Sequence, residues 1–443
     1  MAMAEVSTRA AWTTVGVLTL AYVFSYLDRQ ILVLLVGPVR ADLHIDDTAF
    51  SLLAGAAFAL FYAVMALPLA IIADRGSRRR LIMAGVAVWG SMTILCGLST
   101  NYGMLFMARM GVGIGEAALT PTAYSLIADL FMPEKRTRAM GVFTTAAVMG
   151  NGLSLLAGGA VIAAVSGVAP AAMPFGLRAW QIAFIAVGAL TLLLLVPLRA
   201  ITDPPRRKPP QGARQTHTHG LRAAAAHVWR GRAAYAAIFL GIPFANMIIY
   251  GVQAWLPALF MRGYGWSAEQ TGLVLGSVTL LAGVGGGYAS GAVADHWRAS
   301  GRLDAPLRLN ALLITAALPL PTLLALAPAA PAALAVAAVF VFIASLTVPL
   351  APTALQAITP PPLRAQVSAL FLLVVNLVGI GIGPTAVALA SDLVFGGEKG
   401  IGPALALVGT LSYLASALLL WRGLRAYRRT VAAIEGDLDV IRI

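Results

Sequence analysis

Charged residues are scarce in this chain, and that scarcity excludes an ordinary soluble protein. Only 11% of the 443 residues are Asp, Glu, Lys or Arg, whereas 59% are hydrophobic. Soluble globular domains carry roughly 25% charged residues, which cover the surface that faces water. A chain with so little charge lacks such a surface, so we expect most of it to lie in a lipid bilayer.

Cysteine and histidine are also rare. The one cysteine, Cys96, lies inside an apolar run, so no disulfide forms within the chain. The five histidines show no spacing typical of metal ligands, and no catalytic cluster or Walker-type segment is present. The glycine run GVGIG lacks the preceding strand and the Lys-Ser/Thr ending of a phosphate-binding loop. We therefore expect no metal, no cofactor and no enzymatic activity.

Long apolar runs are abundant instead. They lie at about 11–37, 49–73, 81–100, 103–130, 137–163, 179–202, 233–260, 267–294, 306–327, 332–356, 365–391 and 401–421. Each run is long enough for a bilayer-spanning helix, which needs about 20 apolar residues. Lipid offers backbone groups no partner outside the segment, so each run is expected to be helical. The sequence therefore predicts an all-α integral membrane protein with twelve transmembrane helices.

The polar segments between these runs divide the chain into four parts. We predict a six-helix bundle over 1–202, a basic linker over 203–232, a second six-helix bundle over 233–426 and a tail over 427–443. The linker contains DPPRRKPPQGARQTHTHG, which is Pro-rich, basic and not periodic. Such a composition favours a flexible or partly helical cytoplasmic connection.

Basic residues are distributed unevenly along this map. If the N-terminus is cytoplasmic, most of the 31 lysines and arginines fall in cytoplasmic segments, and the outer segments hold only Arg40, Arg178, Arg262 and Lys399. This asymmetry is the positive-inside rule. It explains the net charge of +13 by topology and by attraction to anionic membrane lipids, without a nucleic-acid partner. We expect a multi-pass protein of the bacterial inner membrane with both termini cytoplasmic.

Two short sequences recur in the two halves in the same order. AIIADRGSRRR, with Asp74, is echoed by GAVADHWR, with Asp295; PEKRTRAMG, around Arg136, is echoed by PPLRAQVSA, around Arg364. Such a repeat indicates two pseudo-symmetric bundles and alternating access around a site at their interface.

The loop carboxylate Asp74 is the centre of a predicted gate. Together with Arg75 and Arg78, it would hold neighbouring helix ends together by charge pairing. The residues of the other repeated loops, Asp295, Arg136 and Arg364, are expected to take part in the same gate. Breaking such pairs would shift the balance between inward-facing and outward-facing states. The alternative is a solvated loop carboxylate.

The segment AIIADRGSRRR, between the second and third runs, resembles the signature of the major facilitator superfamily, approximately G-x-L-x-D-R-x-G-R-R. It aligns here as Ala70, Ile72, Asp74, Arg75, Ser77, Arg78 and Arg79. RMGVGIGEAA from Arg109 is similar to the R-x-x-x-G-x-G pattern of the fourth helix in that family, and GNGLSLLAGG from Gly150 to a glycine signature of the fifth. The resemblance implies a twelve-helix secondary transporter.

Within this superfamily the chain most resembles the spinster branch. The resemblance rests on YLDRQIL at Tyr26–Leu32, on ARMGVGIGEAALTPTAYSLIADLF at Ala108–Phe131 and on NLVGIGIGPTAVALASD at Asn376–Asp392. It implies a lipid-like or amphipathic substrate, such as a lysolipid or a sphingoid phosphate. It also makes the positions Asp28, Arg109 and Glu116 the expected coupling residues.

Four charges fall well inside the apolar runs: Asp28 and Arg29 in the first, and Arg109 and Glu116 in the fourth. A charge at the bilayer centre costs about 2.5–3.5 kcal/mol on insertion scales, so such residues pair or face a water-filled cavity. From helix direction and depth we predict that Asp28 pairs with Arg109 and that Glu116 is the proton-coupling carboxylate. Protons are then the coupling ion.

Two alternatives to this assignment remain. In one, Arg109 receives the acidic head of a substrate, because guanidinium matches phosphate and carboxylate. A purely structural buried network is the other alternative.

Ten further residues in the runs offer a polar or aromatic contact to a substrate cavity, although each would also serve as helix packing. They are Tyr26, Phe58, Tyr62, Tyr124, Asn151, Asn246, Tyr250, Gln253, Phe371 and Asn376. The predicted function is proton-coupled transport of an amphipathic small molecule by a monomer. The alternatives are a drug, sugar or organic-anion carrier, and a membrane enzyme or sensor, which would need an output domain that no loop is long enough to supply.

Overall fold

The computed structural model describes residues 7–166, 176–204, 221–299, 302, 304–360 and 363–441. Within these ranges the secondary structure is helical and contains no strand. The chain forms two compact units, one from residues 1–208 with Ala254–Leu280 and the other from residues 209–253 with Leu281–Ile443, as far as those ranges are described. The sequence-based bundle boundaries stay a prediction.

The first unit contains ten helices and part of two more. They are α1 (Thr8–Leu34), α2 (Val36–Leu43), α3 (Asp47–Ser51), α4 (Ala57–Arg75), α5 (Arg78–Gly97), α6 (Tyr102–Glu116), α7 (Leu119–Leu130), α8 (Pro133–Ser166), α9 (Ala179–Leu193), α10 (Leu195–Leu198), with Ala254–Tyr264 of α13 and Ala268–Leu280 of α14. A π-helical turn, Leu52–Ala56, joins α3 to α4. Inside this unit α1 packs on α8, and α5 packs on α6 and α9.

The second unit contains the remaining helices. They are α11 (Leu221–Arg230), α12 (Arg232–Ala236), the rest of α13 (Ile242–Tyr264) and of α14 (Ala268–Ala299), α15 (Ala305–Ala317), α16 (Leu320–Ala325), α17 (Ala330–Thr347), α18 (Leu350–Ala357), α19 (Arg364–Asn376), α20 (Gly383–Val394) and α21 (Ile401–Ile441). Two π-helical segments, Ala237–Gly241 and Leu377–Ile382, and a 3₁₀ turn at Glu398–Gly400 complete it. Here α21 packs on α15, α16 and α20.

Ten of the predicted runs are helical stretches long and apolar enough to cross a membrane. The predicted run 137–163 lies in α8, whose stretches Arg138–Ala147 and Met149–Val165 are bent by 41° and are long and apolar enough to cross a membrane only together. The run 103–130 is divided into α6 and α7, of 15 and 12 residues. The twelve predicted runs are therefore all helical, and the fourth is interrupted immediately after Glu116.

Prolines explain where several spans are interrupted. A proline lacks the N–H that would bond to the carbonyl four residues earlier, and its ring clashes there. The interruption after α6 lies four residues before Pro121, and α9 ends four residues before Pro197. Likewise, α15 ends four residues before Pro321, and the interruption after α17 begins four residues before Pro352.

Short polar side chains cap the N-termini of four helices of the first unit, α1, α3, α5 and α6. Ser7, Asp46, Ser77 and Asn101 each accept a backbone N–H bond from the residue three positions later, at 3.3, 2.7, 3.3 and 2.9 Å. These N-caps satisfy donors that a helix leaves unpaired at its first turn.

Candidate functional site

The four intramembrane charges meet inside the first unit, where side chains of α6 reach α1. Asp28, Arg109 and Glu116 are at most 2% exposed, and the Arg29 side chain is 20% exposed. The sequence predicts a pair between Asp28 and Arg109, whereas the structure brings all four residues together and pairs them differently.

Arg29, rather than Arg109, forms the ion pair of this cluster. Its Nη2 lies 2.5 Å from Oε2 of Glu116, and no ion pair joins Asp28 to Arg109 among the described side chains. The predicted Asp28–Arg109 pair is therefore wrong. Consecutive helical residues point about 100° apart, so Arg29 faces Glu116 while Asp28 is turned away.

Asp28 is instead held by α5. The indole Nε1 of Trp89 donates to Oδ2 of Asp28, and both side chains are fully buried. Trp89 lies in an apolar run and was not among the predicted site residues, because a tryptophan there is indistinguishable in sequence from a packing residue.

Arg109 is bound by backbone oxygens. Its Nε donates to the carbonyl of Leu53 at 3.3 Å and its Nη1 to the carbonyl of Asp28 at 3.5 Å. Leu53 belongs to the π-helical turn that joins α3 to α4, and such turns recur at functional sites. Arg109 is therefore fixed by groups that do not titrate, whereas the partner of Arg29 is a carboxylate.

Aromatic rings surround the Arg29 guanidinium. Its Cζ lies 4.2 Å from the ring centroid of Phe58, 5.2 Å from that of Tyr26 and 5.7 Å from that of Tyr62. Cations are attracted to ring faces at such distances. Three of the predicted cavity residues thus gather around one charge.

The aromatic cluster continues along α1, α7 and α8. Tyr22 contacts Tyr26, with ring centroids 5.6 Å apart, and stacks on Phe143 at 5.0 Å. Phe143 meets the predicted residue Tyr124 edge-on at 5.5 Å. Tyr22 and Phe143 were not predicted, although Tyr22 lies one helical turn before Tyr26 and so shares its face.

Asn151, the remaining predicted cavity residue of the first unit, lies on α8. Its Oδ1 accepts from Nε2 of Gln30 at 2.6 Å. Gln30 follows Arg29 directly, so three consecutive residues of α1 reach three different neighbouring helices.

The predicted cavity residues of the second unit lie on α13 and α19. Asn246 Nδ2 donates to the carbonyl of Ile242 at 3.0 Å, and Tyr250 packs over Gly379. Phe371 is buried against Phe239, with ring centroids 5.7 Å apart. Two others, Gln253 and Asn376, are half-buried. A substrate-binding role for this group stays a prediction.

Glycines bring α6 close enough to its neighbours to form the cluster. A Cβ on Gly113 would lie 2.6 Å from the carbonyl oxygen of Phe58, and one on Gly115 would lie 2.6 Å from the backbone nitrogen of Trp89 and 2.7 Å from the carbonyl oxygen of Gly85. The run GVGIG therefore serves backbone-to-backbone helix packing beside Glu116.

Replacing Gly115 by Ala is expected to destabilise the protein by about 1–3 kcal/mol, because the added methyl group meets backbone that has no room to yield. The matched control is Gly141→Ala in α8, where a Cβ would meet no atom within 4 Å. The control is expected to be neutral or slightly stabilising. Chemical unfolding of both variants in detergent measures the difference, and equal stabilities would contradict the close contact.

The loop between α4 and α5 carries the predicted gate. The side chains of Asp74, Arg75 and Asp295 lie outside the described part of the structure. Arg136 is half-buried in α8, and Arg364 is exposed, its Nε donating to the carbonyl of Thr359 at 3.0 Å. Their gating role stays a prediction.

Arg78 is the buried centre of this end of the first unit. It is 1% exposed and pairs with Asp129 at the end of α7 and, through Nε at 3.0 Å, with Asp203. Its Nη2 also donates to the carbonyl of Pro204 at 2.6 Å. Asp129 and Asp203 were not predicted, and the only sequence signal is that each carboxylate ends an apolar run on the side where the arginines cluster.

Asp203 makes this cluster sensitive to acid. Burial alone would raise the pKa of Asp203, but hydrogen bonds from Ser77 and Arg78 outweigh it and hold the pKa below the ordinary value of 3.8. The folded state thus binds this proton more weakly than the unfolded chain. The stabilisation from Asp203 is present above its ordinary pKa and is lost as the pH falls through the folded pKa.

We expect the wild-type protein to lose stability more steeply below about pH 4 than Asp203→Asn, because only the wild type loses a favourable charge there. Thermal unfolding in detergent between pH 3 and pH 6 measures both curves. Curves that stay parallel over this range would show that Asp203 contributes no pH-dependent stability.

A second unpredicted ion cluster lies at the opposite ends of the spans. The buried carboxylate of Asp47 receives Nη1 and Nη2 of Arg262 at 2.6 and 2.8 Å, and Nε of Arg40 at 3.1 Å. The sequence assigns both arginines to outer segments. The cluster fastens α2 and α3 to the last turn of α13 within the first unit.

Comparison with known proteins places these features in a family. The family model described as Major Facilitator Superfamily matches residues 18–384. An MFS-type efflux pump of Mycolicibacterium smegmatis is 30% identical over 440 residues, which cover 96% of this chain and 95% of that relative. The Sphingosine-1-phosphate transporter SPNS2 of Danio rerio is 28% identical over 152 residues, 34% of this chain and 30% of that relative.

A solved structure shares the fold over nearly the whole chain. It is a bacterial homolog to the human lysosomal transporter Spinster, captured inward-facing and unoccupied. It superposes with a TM-score of 0.79 at 24% sequence identity, covering 98% of this chain and 99% of the other.

Proposed function

Because the chain belongs to the Major Facilitator Superfamily, we propose that it is a secondary active transporter that couples protons to the movement of an amphipathic, lipid-like substrate. The matches confirm the predicted superfamily, the all-α membrane fold and the resemblance to the spinster branch. They make the chain a multi-pass membrane transporter rather than an enzyme. Proton coupling and the substrate class are the proposal.

The observation that carries the proposal is the Arg29–Glu116 pair. Glu116 is buried, its Oε2 receives Arg29, and no described donor reaches its Oε1. A buried guanidinium needs a counter-charge, because removing one partner of a buried pair is strongly unfavourable. The state of Glu116 therefore decides whether Arg29 is available to another anion.

A proton on Glu116 removes the charge that holds Arg29. The released guanidinium, already 20% exposed, then pairs with the acidic head group of a substrate, since guanidinium binds phosphate and carboxylate in a bidentate manner. When the head group leaves, Glu116 gives up its proton and recaptures Arg29. One guanidinium thus serves two anions in turn, and proton and substrate are coupled by alternating access.

The aromatic surroundings support an amphipathic substrate. Phe58, Tyr26 and Tyr62 form an apolar surface directly beside the guanidinium, which suits a molecule with an acidic head and an apolar chain. The match to a sphingosine-1-phosphate transporter supports a lysolipid or a sphingoid phosphate. The alternative is a proton-linked drug, sugar or organic-anion carrier of the same superfamily, and the full-length match to an efflux pump supports export without indicating a substrate.

Transport by purified protein in liposomes loaded with a pH-sensitive dye tests the proposal. We expect sphingosine phosphate or lysophosphatidic acid to drive proton movement, and a sugar, an organic anion without a chain and a cationic drug to drive none. Proton movement with the drug or the sugar alone would favour the alternative carrier. Substrate uptake without proton movement would contradict the coupling.

The distribution of basic residues supports a bacterial inner-membrane location with both termini cytoplasmic. We further propose that the protein acts as a monomer with protons as the coupling ion. The orientation is tested by fusing to each terminus a reporter that is active only in the cytoplasm. An inactive fusion would show that the terminus carrying it lies outside.

A further inference from the structure

We propose that the cytoplasmic end of the second unit carries a binding surface for anionic phospholipid head groups. It is formed by Arg222, Arg230, Arg232, Arg425, Arg428 and Arg429, here called the basic belt. The proposal rests on the orientation given above but not on proton coupling. It concerns a surface remote from the Arg29–Glu116 pair in the sequence and in a different unit.

The first observation is the exposed tryptophan of α11. Trp229 is 71% exposed, although α11 is held on the protein by its other side, where Ala224 is buried and the helix packs on α19. Arg222 is two turns before Trp229 and shares its face. Tryptophan side chains prefer the level of the head groups, where an apolar ring meets a polar boundary.

The second observation is a cation–π contact between Trp229 and one arginine of the basic belt. The Cζ of Arg232 lies 5.8 Å from the Trp229 ring centroid. An exposed tryptophan with arginines on both sides along the chain fits a membrane interface, because the ring enters the interface while the guanidinium groups meet phosphate.

The third observation is the register between α21 and the π-helical segment Ala237–Gly241, which directly continues α12. A Cβ on Gly423 would lie 2.3 Å from Cβ of Ala237, and one on Gly241 would lie 3.1 Å from Cγ of Leu420. The two segments therefore run antiparallel, and continuing this register puts Arg232 beside Arg428. The arginines of two separate helices thus lie at one level.

The fourth observation is the length and anchoring of α21. Its 41 residues extend for about 60 Å at 1.5 Å per residue, roughly twice the hydrocarbon thickness. Beyond the span it is still fixed to the unit, because Tyr427 is buried and its Oη donates to the carbonyl of Ala354 at 3.1 Å. The arginines around Tyr427 are therefore presented on a firmly held helix just past the membrane.

Charge complementarity selects the partner. All six belt arginines are exposed, and no described carboxylate forms an ion pair with any of them. Clusters of four to eight basic residues next to a membrane span bind anionic lipids, with each charge near the surface contributing about fivefold to binding. Nucleic acid would not account for Trp229 or for the closeness of the belt to the ends of the spans.

Native mass spectrometry of the detergent-solubilised protein, titrated with phosphatidylglycerol or phosphatidylcholine, tests the proposal. The variant R222Q/R230Q/R232Q is compared with R9Q/K135Q/R138Q, which removes three exposed charges from the first unit. We expect the belt variant to bind phosphatidylglycerol at least about tenfold more weakly, with phosphatidylcholine unaffected and the control within about twofold of wild type. The variant W229A is expected to weaken the binding of phosphatidylglycerol and of phosphatidylcholine to a similar extent.

Three outcomes would overturn the proposal. They are equal binding of the two lipids by the wild type, an equal loss in the control variant, and displacement of phosphatidylglycerol by inorganic phosphate or a short oligonucleotide at the same concentration. Thermal unfolding of each variant excludes misfolding as the cause of a loss. No transport is measured, so a failure here leaves the proposed coupling untouched, and a failure of coupling leaves the belt untouched.

Discussion

Glu116→Gln is expected to reduce proton-driven transport to the level of empty liposomes while leaving substrate exchange intact. Glutamine has the shape of a protonated glutamate, so Arg29 is released permanently and stays available to the substrate head group. Exchange of labelled for unlabelled substrate, which needs no net proton movement, then becomes independent of pH. The measurement is uptake into proteoliposomes with and without a pH gradient, followed by exchange at several pH values.

The matched control for this prediction is Glu269→Gln. Glu269 is an exposed carboxylate in the first turn of α14, so its loss removes the same charge without touching the pair. Transport by the control is expected to equal that of wild type. If Glu116→Gln still accumulated substrate against its gradient in response to protons, another group would have to carry the proton.

Arg78→Gln is expected to destabilise the protein by about 3 kcal/mol, because it leaves the Asp129 and Asp203 carboxylates without their buried cation. The carboxylates are 19% and 20% exposed, so water compensates in part and the cost stays at the lower end for broken buried pairs. Chemical unfolding in mixed micelles measures the change.

Arg80→Gln serves as the comparison for Arg78. Arg80 is exposed in the same turn of α5, and surface charges of this kind contribute about 0–1 kcal/mol. Equal stability of the two variants would show that the desolvation of Arg78 cancels its pairing. A double variant, R78Q/D203N, is expected to recover part of the loss, since it removes one stranded charge.

The positions of the spans were predictable because lipid imposes one requirement on every helix. Apolar length alone located all twelve runs, but the interruption after Glu116 was not predicted, although the missing N–H of Pro121 is a local signal for it. Depth predicted that Asp28 and Arg109 lie at a similar level, because a charge inside a bilayer needs a partner or a water-filled cavity.

The pairing within that cluster was not predictable from depth. Which of Asp28 and Arg29 faces Glu116 depends on the rotation of α1 about its axis, and the π-helical turn before α4 changes which backbone oxygens face Arg109. Trp89 is unremarkable in an apolar run until its indole reaches Asp28. Arg78 meets carboxylates 51 and 125 positions later in the chain, a distance that no local pattern spans.

The balance of two acids and two bases around α1 and α6 has an electrical consequence. With all four ionised, the empty site has no net charge. A proton alone makes it +1, a singly charged head group alone makes it −1, and both together restore zero. Moving one unit charge across a membrane potential of 100 mV changes its free energy by about 2.3 kcal/mol. The transitions of the empty site and of the site with both proton and substrate bound therefore require no electrical work. A site with only the proton or only the substrate bound carries a net charge, so the membrane potential favours or opposes its transition.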